Sequence, residues 1–215
     1  MKIKRILVIA FALLPLIVCL IAMAFLPETI PVHYDFRFEV DRYGSKAELL
    51  ILPAIALVLG AVMVFVKPAN ERNRKALLNV ALGMELFMSV LFYYLLYVQA
   101  AGYTNLKEAP LCFDRFILLF FGALFIFLGN LMPTAGRNSV FGMRTPWSIK
   151  NSTVWKKSQL FSGIAMILIG VVCVILAFVY PSVFVMLGLV ILTGIICTVY
   201  SYLIARNAPK EEFES

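Results

Sequence analysis

Charge is scarce in this 215-residue chain: Asp, Glu, Lys and Arg make up only 14% of it, against 62% hydrophobic residues. At a mean hydropathy of +0.94, too few polar residues remain to cover a soluble globule of this size. Lipid must cover it instead. Histidine occurs once, and no His/Cys/carboxylate group has metal-ligand spacing. His33 with Asp35 or Glu39 could hold a metal, but alternating polar neighbours on a strand are equally well explained by solvation. With no nucleophile–base pair to name, the chain reads as non-enzymatic, without cofactor or metal. The four cysteines lack any C-x-x-C pairing. Cys19, Cys173 and Cys197 fall inside apolar runs and Cys112 near the end of one, so they read as small hydrophobes and not as a disulfide framework.

What is present in abundance is apolar sequence in lengths that cross a bilayer. Six runs of about 20 residues stand out, at 6–26, 48–66, 77–99, 114–132, 159–179 and 183–204. Backbone groups in lipid must be satisfied within each segment, so each run is expected to be helical. The fold class is therefore an all-α membrane protein with six transmembrane helices and a small ordered first outer loop. Lys2, Lys4 and Arg5 precede the first run and Ala22-Met23-Ala24 looks like a signal cleavage site, yet the run exceeds the 7–15 apolar residues of such a signal. It is expected to remain as a span.

Charge sets the orientation. With the N-terminus inside, Arg37, Arg42, Lys46, Lys107 and Arg115 fall outside, and the other fourteen of the nineteen Lys and Arg residues fall inside. Both termini are thus expected in the cytoplasm. The net charge of +7 is read as topology plus contact with anionic membrane lipids. It is not read as direct nucleic-acid binding.

The first outer loop, 27–47, alternates from Val32 to Asp41: Val32, Tyr34, Phe36, Phe38 and Val40 against His33, Asp35, Arg37, Glu39 and Asp41. Period two predicts a strand with one buried face, whose partner the sequence does not name. Tyr43-Gly44-Ser45 reads as a turn. In the second span, Ala56 and Gly60 have the small-x-x-x-small spacing of close helix contacts. Pro68 is expected to stop that helix in the basic loop 67–76.

Glu85 is the one carboxylate well inside a predicted span. With a helix start near Leu77 it would lie roughly 12 Å deep, where it must pair, stay protonated or face other helices. Asn130 or a basic inner-loop residue is a possible partner. A proton or ligand site and a structural hydrogen-bonding role both remain open.

The longest polar interruption of the second half runs from Gly129 to Lys157, with both tryptophans and Arg137, Arg144, Lys150, Lys156 and Lys157. Gly136, Gly142 and the 137–139 run suggest turns. Thr145-Pro146 reads as an N-cap and first helical position, and Asn151-Ser152-Thr153 offers a second helix start. The cations and indoles suit either a pocket for an anionic or peptide ligand or an aromatic and basic anchor at the head groups.

Gly129, Asn130, Pro133, Gly142, Arg144, Thr145, Pro146, Trp147 and Trp155 fall in register with GN-x-x-P…GIRTPWT-x-x-x-x-x-W. This stretch resembles the signature of the SdpI family of bacterial integral membrane proteins. Leu26, Pro27, Ile30, Pro31, His33, Asp41, Tyr43, Gly44, Ser45 and Lys46 likewise match LP-x-x-IP-x-HW-x-x-x-G-x-x-D-x-(Y/W)GSK, the pattern of domain of unknown function 1648, which often accompanies it. Tyr34 replaces the usual Trp, and Phe36-Arg37-Phe38 stands where the family tends to be small and polar.

The resemblance implies a multi-pass protein of the bacterial cell membrane, built from an N-terminal module at 1–66, a connecting third span at 67–113, an SdpI-like module at 114–205 with its inner loop at 133–158, and a tail at 206–215. It further implies immunity or resistance to a secreted peptide toxin outside, with a small transcriptional repressor as cytoplasmic partner. On that reading His33, Tyr34, Asp41, Tyr43, Gly44 and Lys46 serve the outer face, and Asn130, Pro133, Arg144, Thr145, Pro146, Trp147 and Trp155 the inner one. A proton-coupled transporter of amphiphiles, with Glu85 as its site, is the alternative. The sequence shows no inverted repeat or paired broken helices to favour it.

Overall fold

The computed structural model describes residues 2–66, 71–137 and 141–208, apart from the side chain of Arg72. The expectations resting on Lys67, Pro68, Asn138, Ser139 and Lys210 lie outside these. Among the described residues, six helices are long and apolar enough to cross a membrane: Lys2–Met23, Lys46–Phe65, Asn73–Ala100, Phe113–Thr134, Ser152–Val179 and Val183–Arg206. The chain is a multi-pass membrane protein, and its packing divides it into two compact units, 1–66 with 81–116 and 67–80 with 117–215.

The first unit holds helix α1 (Lys2–Met23), strands β1 (Thr29–Tyr34) and β2 (Val40–Ser45), helix α2 (Ile51–Phe65) after a 3-10 turn, and most of α3 (Glu71–Ala100). The alternating run does not form one strand. It turns back as an antiparallel hairpin, with Tyr34 opposite Val40 and Thr29 opposite Ser45, so the strand's missing partner is the segment that begins at the run's own end, Val40–Ser45. The cause is Asp35, whose carboxylate accepts the backbone N–H groups of Arg37 at 2.7 Å and Glu39 at 3.0 Å and so prescribes a tight turn. Those amides, Glu39 first, hold the Asp35 carboxyl below its usual range.

Phe38 closes this turn with φ 67, a region that costs a bulky residue energy. It stands where the resembled pattern has glycine. Contacts from the 100–113 loop hold it: Leu106 N donates to Phe38 O at 2.9 Å, Val40 N to Thr104 O at 2.9 Å, and the Phe113 ring lies 5.3 Å from that of Phe38. Beneath the hairpin, Ile30 packs in a core with Cys19, Leu49 and Phe92.

The second unit holds α4 (Phe113–Leu131, from Ile117 on), a 3-10 turn at Met132–Thr134, the short α5 (Pro146–Lys150), α6 (Ser152–Val179) and α7 (Val183–Arg206). The fifth span starts seven residues before the expected 159, because the Asn151 side chain accepts from Val154 N at 2.8 Å and caps α6. Helices α4 and α6 meet backbone to backbone at two glycine pairs. A Cβ on Gly129 would lie 2.6 Å from Gly163 O and one on Gly163 2.7 Å from Gly129 O; a Cβ on Gly122 would lie 2.9 Å from Gly170 O and one on Gly170 2.6 Å from Gly122 O. Each helix thus repeats glycine at a seven-residue interval along one face, the small-residue route to close packing in lipid.

Candidate functional site

The hairpin gathers the residues expected on the outer face, but gives them different work. His33 Nδ1 lies 2.6 Å from Asp41 Oδ1, both exposed. Its partner is thus Asp41 across the hairpin, whereas Asp35 is spent on the turn. Tyr34 donates to Tyr103 O at 3.2 Å. Lys46 reaches Glu28 at 2.9 Å and closes the hairpin's base.

Gly44 is not in a turn. It lies in β2, where a Cβ would collide with the Glu48 carboxylate. The absent side chain lets Glu48 lie against the strand and take the Arg42 guanidinium at 2.9 Å and 3.2 Å, which raises the Arg42 pKa. Tyr43 and, above all, Phe36, 88% exposed at the turn, are left outward.

Glu85 lies in the first unit, only 1% exposed. Its Oε2 has no hydrogen-bond partner among the described residues. Gly60 makes the room: a Cβ there would come 2.8 Å from Glu85 Oε1. The Asn130 amide, proposed as its partner, donates to Ile126 O at 2.8 Å within α4 instead.

In the second unit, the polar segment proves to be a strap, tied down in part by the cap expected at Thr145-Pro146 and in part by serines and a glutamine that sequence reasoning passed over. Thr145 caps α5 with a capping box: its Oγ1 accepts Ser148 N and its own N donates to Ser148 Oγ at 3.0 Å. Pro146 takes the first helical position. Gln159 of α6 grips the Met143 peptide from both sides, accepting from Met143 N at 2.9 Å and donating to Met143 O at 3.2 Å. Gly142, at φ 126, sits against that amide where a Cβ would meet Gln159 Oε1 at 2.7 Å.

Ser201 of α7 is the meeting point. Trp147 Nε1 donates to its hydroxyl at 2.9 Å, Ser158 donates to it at 2.8 Å, and Thr145 Oγ1 lies 3.2 Å away. One hydroxyl can accept two bonds and donate one, so Ser201 is fully used. Trp155 is 2% exposed and donates to Ala135 O at 3.0 Å. It is therefore no interfacial anchor; its indole pins the turn after α4, where Pro133 packs near Gly163. Arg144 is left exposed on the strap. The serines and Gln159 were missed because a lone polar residue in an apolar helix carries no spacing signal; only the fold reveals its partner.

Residues 134–201 match the SdpI/YfhL protein family, and residues 10–57 match the domain of unknown function DUF1648. The SdpI resemblance holds. Immunity protein SdpI of Bacillus subtilis (strain 168) is 26% identical to this SdpI-like chain over 201 residues, covering 93% of the chain and 94% of that protein. An uncharacterized protein of Archaeoglobus fulgidus is 46% identical over 41 residues, 19% of this chain and 22% of its own length. No solved structure matches. The SdpI match begins within the turn after α4 and ends at Ser201, so the tied strap and its meeting point lie inside it.

Proposed function

We propose that this SdpI-like chain is a membrane immunity protein that binds a secreted antimicrobial peptide on its hairpin and reports that binding to a cytoplasmic repressor through the strap at 143–155. Similarity to Immunity protein SdpI along nearly the whole of both chains carries the reading. Supporting it, the hairpin is ordered yet presents Phe36, Tyr43 and the His33–Asp41 pair outward, a mixture suited to an amphipathic peptide. The distribution of Lys and Arg favours both termini, and with them the strap, on the cytoplasmic side. Binding outside reaches the inside only if the peptide binds two conformations of the protein unequally.

The test is survival of a sensitive bacterium that produces this chain, challenged with secreted antimicrobial peptides. His33→Ala is expected to lose protection with unchanged protein level. Arg144→Ala is expected to lose the response of a reporter gene under the repressor. Full protection and full response in both variants would defeat the proposal.

A second reading, proton-coupled export of amphiphiles, is favoured by one observation: the buried Glu85 carboxylate packs against Gly60, and its Oε2 has no hydrogen-bond partner among the described residues. Glu85→Gln keeps the shape and removes the titration. Dye efflux from energised vesicles is then expected to fall to the level of empty vesicles, and undiminished efflux would remove this reading.

A further inference from the structure

The second unit contains a cavity of about 370 Å³ among α4, α6, α7 and the strap. That is more than twice the roughly 150 Å³ that holds one benzene in an apolar protein interior. Phe125, Leu128, Met143, Met166 and Val190 supply apolar walls. Two features mark it as a place for a ligand. The Ser162 hydroxyl lines it, 3% exposed and without a hydrogen-bond partner among the described residues, and a buried hydroxyl left unpaired is costly. Gly194 also lines it, and a Cβ there would meet nothing within 4 Å.

We infer that this cavity holds one acyl chain of a membrane lipid, with the chain's ester carbonyl accepting the Ser162 hydroxyl. Apart from the strap residues Phe141 to Met143, the walls belong to candidate membrane spans, so the apolar material available to fill them is lipid hydrocarbon. An unbranched chain is the shape that enters between helices. A carbonyl at its head supplies the acceptor that a hydrocarbon lacks, and the Ser162 hydroxyl is a wall donor with no partner among the described residues. The strap's clipped Met143 forms part of the same wall, so the occupant would touch the segment that the proposed function assigns to signalling, though the inference does not depend on that function.

The full chain in lipid nanodiscs is to be labelled with a photoactivatable methyl palmitate carrying a diazirine in its chain, and the adducts mapped by mass spectrometry. Adducts are expected on the cavity walls of α4, α6 and α7 and to give way to unlabelled methyl palmitate. Gly194→Phe, which grows into open space, should reduce them about tenfold or more while the unfolding temperature stays at that of the wild type. Ser162→Ala should weaken labelling by the ester yet leave labelling by a diazirine-bearing hexadecane unchanged. Labelling indifferent to Gly194→Phe, or spread evenly over the lipid-facing helix surfaces, would overturn the site. Ester labelling indifferent to Ser162→Ala would overturn the carbonyl contact. Displacement by an apolar peptide and not by unlabelled ester would overturn the lipid assignment in favour of a peptide side chain.

Discussion

Gly163→Val should be the most damaging single substitution in the second unit. A Cβ at Gly163 would stand 2.7 Å from Gly129 O, a carbonyl fixed in the backbone of α4. A flexible side chain could swing aside, but a helix carbonyl cannot without moving the helix. Overpacking a well-packed core costs about 1–3 kcal/mol, and the rigid obstacle puts this case at the upper end. The expected result is a marked fall in unfolding temperature in detergent, with loss of the α4–α6 contact. Gly170→Val, facing Gly122 O at 2.6 Å, should behave alike. The contrast lies in α7, where a Cβ on Gly188 meets nothing within 4 Å. Gly188→Ala should therefore gain about 0.4–1 kcal/mol from the stiffer unfolded chain. Equal effects at Gly163 and Gly188 would show that the backbone contact is not made.

The second large effect is expected at Ser201, which looks unremarkable in the sequence of α7. Ser201→Ala strips the acceptor from the Trp147 indole and from the Ser158 hydroxyl together. Each buried donor left unpaired costs about 1–3 kcal/mol, so the sum is about 2–4 kcal/mol once some relaxation is allowed. Trp147→Phe removes one donor and keeps much of the ring that packs edge-on to Tyr202. Added to Ser201→Ala it should cost less than the two changes summed, because the orphaned indole is gone. Thermal unfolding of the four proteins in the cycle measures this directly. Strict additivity would mean that Trp147 and Ser201 do not meet.

How much of this could be read in the sequence depends on range. The six spans follow from hydropathy alone, since lipid imposes a length and a helical backbone on any run that crosses it. Local chemistry was legible too: Thr145-Pro146 caps α5, and Asn151 starts α6. The hairpin was half legible. Alternation marked residues 32–41 as β structure, but a turn that keeps the alternation running through it leaves no break in the pattern. What gives it away is Asp35 three residues before Phe38, together with the glycine expected at Phe38. The 100–113 loop had no signal of its own, because its part is to supply backbone partners to that turn. Of the candidate site, the signature positions stood out, yet their long-range partners did not: Trp155 is buried against Ala135 O, and Trp147 and Thr145 both meet Ser201. Pairings between distant helices have no counterpart in local spacing.

The strap's ties carry a consequence for whatever docks on it. Its backbone is fixed at Met143 by Gln159 and at Thr145 and Ser148 by their reciprocal cap, while Arg144 between them stays exposed. Ordering a free backbone costs about 1–2 kcal/mol per residue, and here folding has already met that cost. A partner that docks on this segment meets a backbone already in place, so less ordering is left for binding to supply. The readiness of this segment for a partner therefore rests on Gln159 and on the Thr145–Ser148 cap, side chains that the partner itself need not touch.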